Sequence, residues 1–503
     1  MRLSFAGILL ALAALAGCQR ADRPPAGFTA IAIESGPAVI NPLLSTDAAA
    51  AKVEGLIFNG LLKRDDDFSL KPDLAEKWDY QTPLKLRITL RRNVKFHDGS
   101  PFTSADVKAA FDFILNEKNS SPLRGSFSEI SSVDTLDDFT LMLTLKRQSA
   151  PLLGNLTFGV PKAGTANSGA PMGTGPFILK ESVQDEKLVL VRNDLYFEGA
   201  PKLAGVIVKI IPDETVRVLS LESGAVSAIM NPITPDILPR FQKNAKLNVA
   251  TTQSVSYSYL GFNMEDHLTG NIAVRRAIAY GIDRESIINF ILKGMAIPAT
   301  GPLPPGSEFY SGAVAQYPYD PEKAMRILDE AGFEDPDGPG PQLRFTLRYS
   351  TSQNELRRRI AEVMKWQLEK IGVGLDVRSY EWGAFYADIR KGAFQLFSLT
   401  WVGVGDPDIL HYMFHSSSMP PDGANRGRYR NQELDGLLER GRVAEGTERK
   451  TAYNAAQKII AVDLPYVSLW HPLNVAVTAS SLKGFKLGPD ENIKSLKTAF
   501  MEN

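Results

Sequence analysis

Apolar positions in this chain fall into short runs of two kinds, and the two kinds alternate. Residues 28–35 (FTAIAIES) are apolar on both faces, which predicts a buried strand in a covered sheet. Residues 86–90 (LRITL) and 141–146 alternate apolar with polar positions, the pattern of half-buried strands. Elsewhere the period lengthens. Thr46 or Asp47 can cap a helix through the alanine run, and Thr103 or Ser104, with Asp106, opens a helix over 105–115. Helices are also predicted at 213–223, 271–280 and 320–331, the last capped by Asp320 with Pro321 at its first position. The clearest spans 355–371, where Leu356, Ile360, Val363, Met364, Leu368 and Ile371 make one stripe and Gly372 ends it. Strands are predicted at 188–192, 205–211, 343–349, 375–380 and 394–400. Such alternation indicates an α/β protein built on sheets covered by helices.

A chain of 503 residues exceeds what one core usually serves, so two or three domains are expected. Hydrophobic content of 44% and charged content of 22% are those of an ordinary globular protein. The net charge of −1 argues against a nucleic-acid partner and against a basic patch on anionic lipid. Cys18 is the only cysteine, so it makes no internal disulfide. It follows Arg2 and an apolar run over 3–15, the layout of a secretory signal. That run is shorter than the roughly 20 residues needed to cross a bilayer. Leu15-Ala16-Gly17-Cys18 resembles a lipoprotein signal, in which the cysteine is acylated and becomes the first mature residue. An ordinary cleaved signal with an incidental cysteine is the plainer alternative. Residues 18–26 then read as a tether. Gln19 after the cysteine points to the outer membrane.

Catalytic chemistry is thinly represented. There is no G-x-S-x-G elbow, Walker loop or H-E-x-x-H. Asp408, His411 and His415 fall at i, i+3 and i+7, a spacing able to hold a metal on one helical face. The intervening Tyr412, Met413 and Phe414 favour packed histidines, and no metal or cofactor is assigned. His97-Asp98 precedes Gly99 and reads as a surface turn. The run from Thr400 to Asp408 leaves a strand for a Gly- and Asp-rich loop, where α/β sheets hold ligands. There Trp401 offers a flat wall, and Asp406 or Asp408 offers a carboxylate. Arg357, Arg358 and Arg359 open the long helix, where the helix dipole disfavours cations, so a ligand carboxylate would account for them. Arg358 and Arg359 lie beside the apolar stripe and are the inward candidates. The cluster from Asn425 through Arg426 to Tyr429 is a second place with anion-binding capacity.

Several segments together resemble the extracytoplasmic solute-binding proteins of ABC importers, family 5, the oligopeptide- and dipeptide-binding group. They are Asn41-Pro42-Leu43, Pro72 through Trp78, Leu90 through Gly99 with Pro101-Phe102-Thr103, and Gly173 through Phe177. Phe262-Asn263, Val274 through Ile278, Tyr280 through Arg284, and Trp401 with Asp406-Pro407-Asp408 complete the set. The resemblance implies a two-lobe fold of the periplasmic binding protein type II kind with an extra inserted domain. Its expected parts are lobe one at 27–45, 165–253 and 479–503, the insert at 46–164, and lobe two at 254–478. It implies a receptor that closes on a small peptide or similar solute and passes it to permease and ATPase subunits. No nucleic-acid partner is implied, and the receptor is expected to be monomeric, extracytoplasmic and lipid-anchored through Cys18. By analogy Arg358 or Arg359 meets the ligand carboxylate, and Asn41, Tyr380, Trp382, Trp401, Asp406 and Asp408 lie near the cleft. One departure is visible: Val404 stands where dipeptide-binding relatives carry the Asp that meets the ligand ammonium. The rival readings are an exported hydrolase, which would need a nucleophile and base drawn from the histidines, and a chaperone or adhesion-like protein.

Overall fold

The computed structural model describes residues 24–65, 69–168, 171–338, 340–421 and 423–502. Cys18 and the apolar run before it lie outside the described residues. A twelve-stranded sheet runs through the molecule, and one strand belongs to both of its halves. That strand, Tyr466–Ala479, pairs through its first residues with Tyr257–Phe262 and Ala296–Pro298, and through its last with Leu247–Gln253 and Ala228–Met230. The change of partners falls at Pro472 and Leu473. This lies ahead of the expected boundary at 478, because the strand continues straight into the first half. Proline is tolerated at the handover, since it removes a ladder donor where the ladder is already changing hands.

The first half carries Phe28–Ile33 between Gly205–Ile210 and Ala228–Met230, parallel to both. Five of its six residues are buried, as an apolar run covered on two sides requires. The second half places Phe345–Ser352 between Val373–Tyr380 and Leu396–Trp401, again parallel. Helix Glu355–Glu369 returns across that sheet, with Ile360, Ala361, Met364 and Leu368 packed into the core. The carboxamide of Asn354 caps it, accepting from Arg357 N at 3.0 Å.

A separate antiparallel sheet is built from Ala75–Thr82, Lys85–Leu90, Thr140–Leu145 and Ile130–Asp137. It is backed by helix Ser104–Leu115, where Thr103 and Asp106 form the capping box expected from sequence. Phe96, Phe102, Phe111 and Phe127 fill a core of its own. Helix Ala48–Ile57, expected in this insert, packs Val53, Leu56 and Ile57 with Ile31 and Val206 of the first half instead. Its apolar residues face the large sheet. Gly173 and Gly175 return the chain past this helix. A Cβ on Gly175 would sit 2.5 Å from the Ile57 carbonyl carbon, so only glycine lets the two backbones touch.

Candidate ligand-binding cleft

Between the halves lies a cavity of about 300 Å³. Asn231, Ile233 and Val475 line it from the first half, and Ser258, Arg357 and Thr400 from the second. Arg357 sits in the first turn of the long helix, three, four and seven residues before the buried Ile360, Ala361 and Met364. That spacing turns its side chain inward with the stripe. Its Nη1 is buried without a hydrogen-bond partner. Burial pulls its guanidinium below the ordinary value, with Tyr349 and Tyr259 offsetting part of the effect.

The sequence-level candidates fare differently. Arg358 is exposed. Arg359 reaches Asp236 Oδ2 at 2.9 Å, and Lys293 stands 3.7 Å from the other oxygen, so this group bridges the mouth of the cleft. One residue of helical rotation separates the arginine that lines the cavity from the one that faces solvent.

Arg357 belongs to a wall of aromatic rings. Its guanidinium lies 5.7 Å from the ring of Trp382, which stacks on Tyr386 at 5.8 Å. Arg426 continues the series, 5.5 Å from the Tyr386 ring and 4.6 Å from that of Trp401. It donates to the hydroxyls of Tyr259 at 3.3 Å and Tyr386 at 3.2 Å, with 7% of its surface exposed. Tyr259 in turn stacks on Tyr466 at 4.0 Å and, more distantly, on Trp401 at 6.4 Å. Trp401 leaves its Nε1 buried and unpartnered. Trp382 is half exposed, at 51%. Tyr380 packs at the edge of the second half's core.

Both acids of the Gly-rich loop face arginines. Asp406 accepts from Arg449 at 2.8 Å and from the Asp408 backbone N–H at 2.9 Å. Asp408 lies 2.9 Å from Arg442 Nε, close but poorly aligned, and burial pushes its carboxyl above the ordinary value. Asp406 borders a second chamber of about 780 Å³ between the insert and the second half, which Tyr80, Gly154 and Phe309 also line. Asn41 is turned away: its side chain donates to Ala166 O at 2.7 Å and accepts from Leu43 N at 3.0 Å. Val404 is buried in an apolar cluster.

His411 and His415 stack face to face at 4.2 Å. Burial, with Arg442 and His415 nearby, pulls His411 down to about 4. His415 Nδ1 meets the Ser417 hydroxyl at 2.7 Å, and its Nε2 is 3.4 Å from Glu439. Among the described residues no group of three or more His, Cys, Asp or Glu is placed to hold a metal ion. His97, also pulled to about 4 by burial, meets the Gly175 carbonyl at 3.2 Å, a structural contact within the insert's return.

Residues 69–420 match the family model described as bacterial extracellular solute-binding proteins, family 5 middle. The chain belongs to this family. Among family 5 relatives, the oligopeptide-binding protein AppA of Bacillus subtilis is 29% identical, across 92% of this chain and 89% of that one. The glutathione-binding protein GsiB of Salmonella choleraesuis is 28% identical, across 92% of each. Solved family folds superimpose closely. NikZ from Campylobacter jejuni, in complex with Ni(L-His), gives a TM-score of 0.79 at 28% identity, over 95% of this chain and all of that one. AppA in complex with a nonapeptide gives 0.76 at 27% identity, over 95% and 99%. The two halves are therefore the lobes of a type II binding protein with an inserted domain, and the family 5 role is that of an extracytoplasmic solute receptor. It is not an enzyme, and the hydrolase reading is set aside.

Two side chains of the cleft escaped the sequence reading. Arg357 carried a signal, its i+3, i+4 and i+7 register with the stripe. Arg426 was visible only as part of a polar cluster, because its aromatic neighbours come from three distant segments.

Proposed function

We propose that this protein captures a small peptide or peptide-like solute between its lobes and delivers it to the permease of an ABC importer. The observation that carries this reading is a cavity between the lobes lined by Arg357, whose Nη1 is buried without a hydrogen-bond partner. A buried guanidinium atom without a partner costs free energy until a ligand acceptor meets it. The peptide and glutathione named for its relatives both carry carboxylates and flat amide planes, chemistry that fits such a wall. Closure would follow from tighter binding to the closed form, and a full reversal of the equilibrium needs roughly 5.5 kcal/mol of that preference. In this reading Arg357 takes the ligand carboxylate, Trp382 and Trp401 stack on it, and Tyr380 supports the wall. Arg359 acts as a latch and Asp406 and Asp408 brace the loop. The receptor works as a monomer held to the membrane through an acylated Cys18.

Calorimetry with a mixture of short peptides on ligand-free protein tests the assignment. Arg357→Ala should weaken the tightest binder at least ten-fold while leaving the melting temperature of the empty protein within a few degrees. Equal affinity in the variant would remove Arg357 from the site.

A further inference from the structure

Resting on that receptor reading, we propose that the solute is a short peptide ending in a leucine-like residue, its carboxylate at Arg357 and its last side chain in the apolar part of the interlobe cavity. Arg357 is the only charged residue that lines this cavity among the described residues. Its Nη1 is also the one buried side-chain polar atom of the lining left without a partner. The neutral polar groups around it are bonded within the protein. Asn231 donates to Asn474 at 3.2 Å and to Glu491 at 3.1 Å, and accepts from Val475 N at 2.9 Å. The hydroxyls of Ser258 and Thr400 meet at 2.9 Å, and Ser398 accepts from Tyr349 at 2.7 Å. Bonds from a guest to these groups would largely exchange one partner for another.

The rest of the lining is mostly apolar and comes from both lobes. Ile233 and Val475 stand on the first, and Leu292, Met295 and Ile360 on the second. Met295 O accepts from Leu473 N at 3.0 Å, which sets these side chains beside the point where the shared strand changes partners. Arg357 and Ile360 are one turn apart on the long helix, so a carboxylate at the first brings the neighbouring side chain against the second. A branched side chain seated here touches both lobes at once, and burying it favours the closed form over the open one. Each buried methylene contributes about four-fold in affinity. Volume sets the length. About 300 Å³ stands at the lower end of the roughly 300–1,000 Å³ of small-molecule sites, so a solute filling it is far shorter than the nonapeptide of the AppA complex.

Four probes separate the terms: Gly-Leu, Gly-Asn, Gly-leucinamide and Gly-Gly-Gly-Gly-Leu, titrated into ligand-free full-length protein. The first three share one amino end, so its own contacts cancel from their comparison. Gly-Leu should bind at least ten-fold more tightly than each of the other three, as burial of one leucine-sized side chain allows. Ile233→Asn should erase the preference for Leu over Asn and keep the dependence on the carboxylate. Arg357→Ala should do the reverse, bringing Gly-Leu down to Gly-leucinamide with the preference for Leu over Asn intact. Gly-Asn or Gly-leucinamide binding as tightly as Gly-Leu to the parent protein overturns the proposal, whatever the variants do. So does equal binding of the pentapeptide. If no probe binds but the mixture of short peptides contains a binder, this proposal fails and the receptor reading stands. If nothing in the mixture binds either, both fail together.

Discussion

Glu54 has 8% of its surface exposed, one oxygen accepting the Ser45 hydroxyl at 2.9 Å and the other without a partner. Burial drives its carboxyl from the ordinary 4.5 up to about 7, against the bonds from Ser45 and the Asn41 backbone. The folded protein therefore holds this proton more tightly than the unfolded chain. Stability contributed by the neutral form is complete below pH 4.5 and is lost as pH rises through 7. The loss is on the order of 3 kcal/mol. Urea unfolding at pH 5 and pH 8 should show it, and Glu54→Gln should flatten the difference by about that amount. His97 carries the opposite sign. Its folded value of about 4 lies below the ordinary 6.5, so acid removes stability between those two limits.

The long helix is the element on which sequence and structure agree most closely. Its cap, stripe and terminating Gly372 are all local signals, and Gly372 adopts φ +78 where an L side chain would be strained. Leu368 is fully buried among Ile278, Ile371 and Val373. Leu368→Ala should cost about 2–5 kcal/mol, read from the denaturant midpoint. Strands in the covered sheet were legible where the apolar run was unbroken, as at residues 28–33. The shared strand was not. Pro472 interrupts its apolar pattern, and only the tertiary arrangement shows that the ladder continues on the other side. The acids of the Gly-rich loop illustrate the same limit. Asp406 and Asp408 stand where a ligand contact is plausible, yet Arg449 and Arg442, from helices far along the chain, reach them first. Glycine packing is a further element-scale test. Gly175→Ala places a methyl against the Ile57 backbone, and the expected result is a loss of several kcal/mol or failure to fold.

At the scale of the molecule, closure is a contest between the guest and the contacts spanning the mouth. Asp236 and Arg359 form such a contact with nearly half of each side chain exposed to solvent. An exposed pair is worth about 0–1 kcal/mol, so Arg359→Ala should weaken solute binding by no more than about five-fold. The difference should vanish in 1 M salt, where the Debye length falls to about 3 Å. Small-angle scattering of the empty variant should show a larger radius of gyration than the parent if the pair helps hold the lobes together.

The strand Tyr466–Ala479 has a consequence for how the molecule comes into being. It pairs with two strands in each lobe yet lies within the final tenth of the chain, so a growing polypeptide can complete neither sheet until almost its last residues emerge. Each lobe waits on the same late keystone. A chain stopped at residue 465 should therefore lack cooperative unfolding in both halves, rather than leave one intact lobe beside a damaged one. Synthesis thus leaves a long interval in which neither half has its full set of strands.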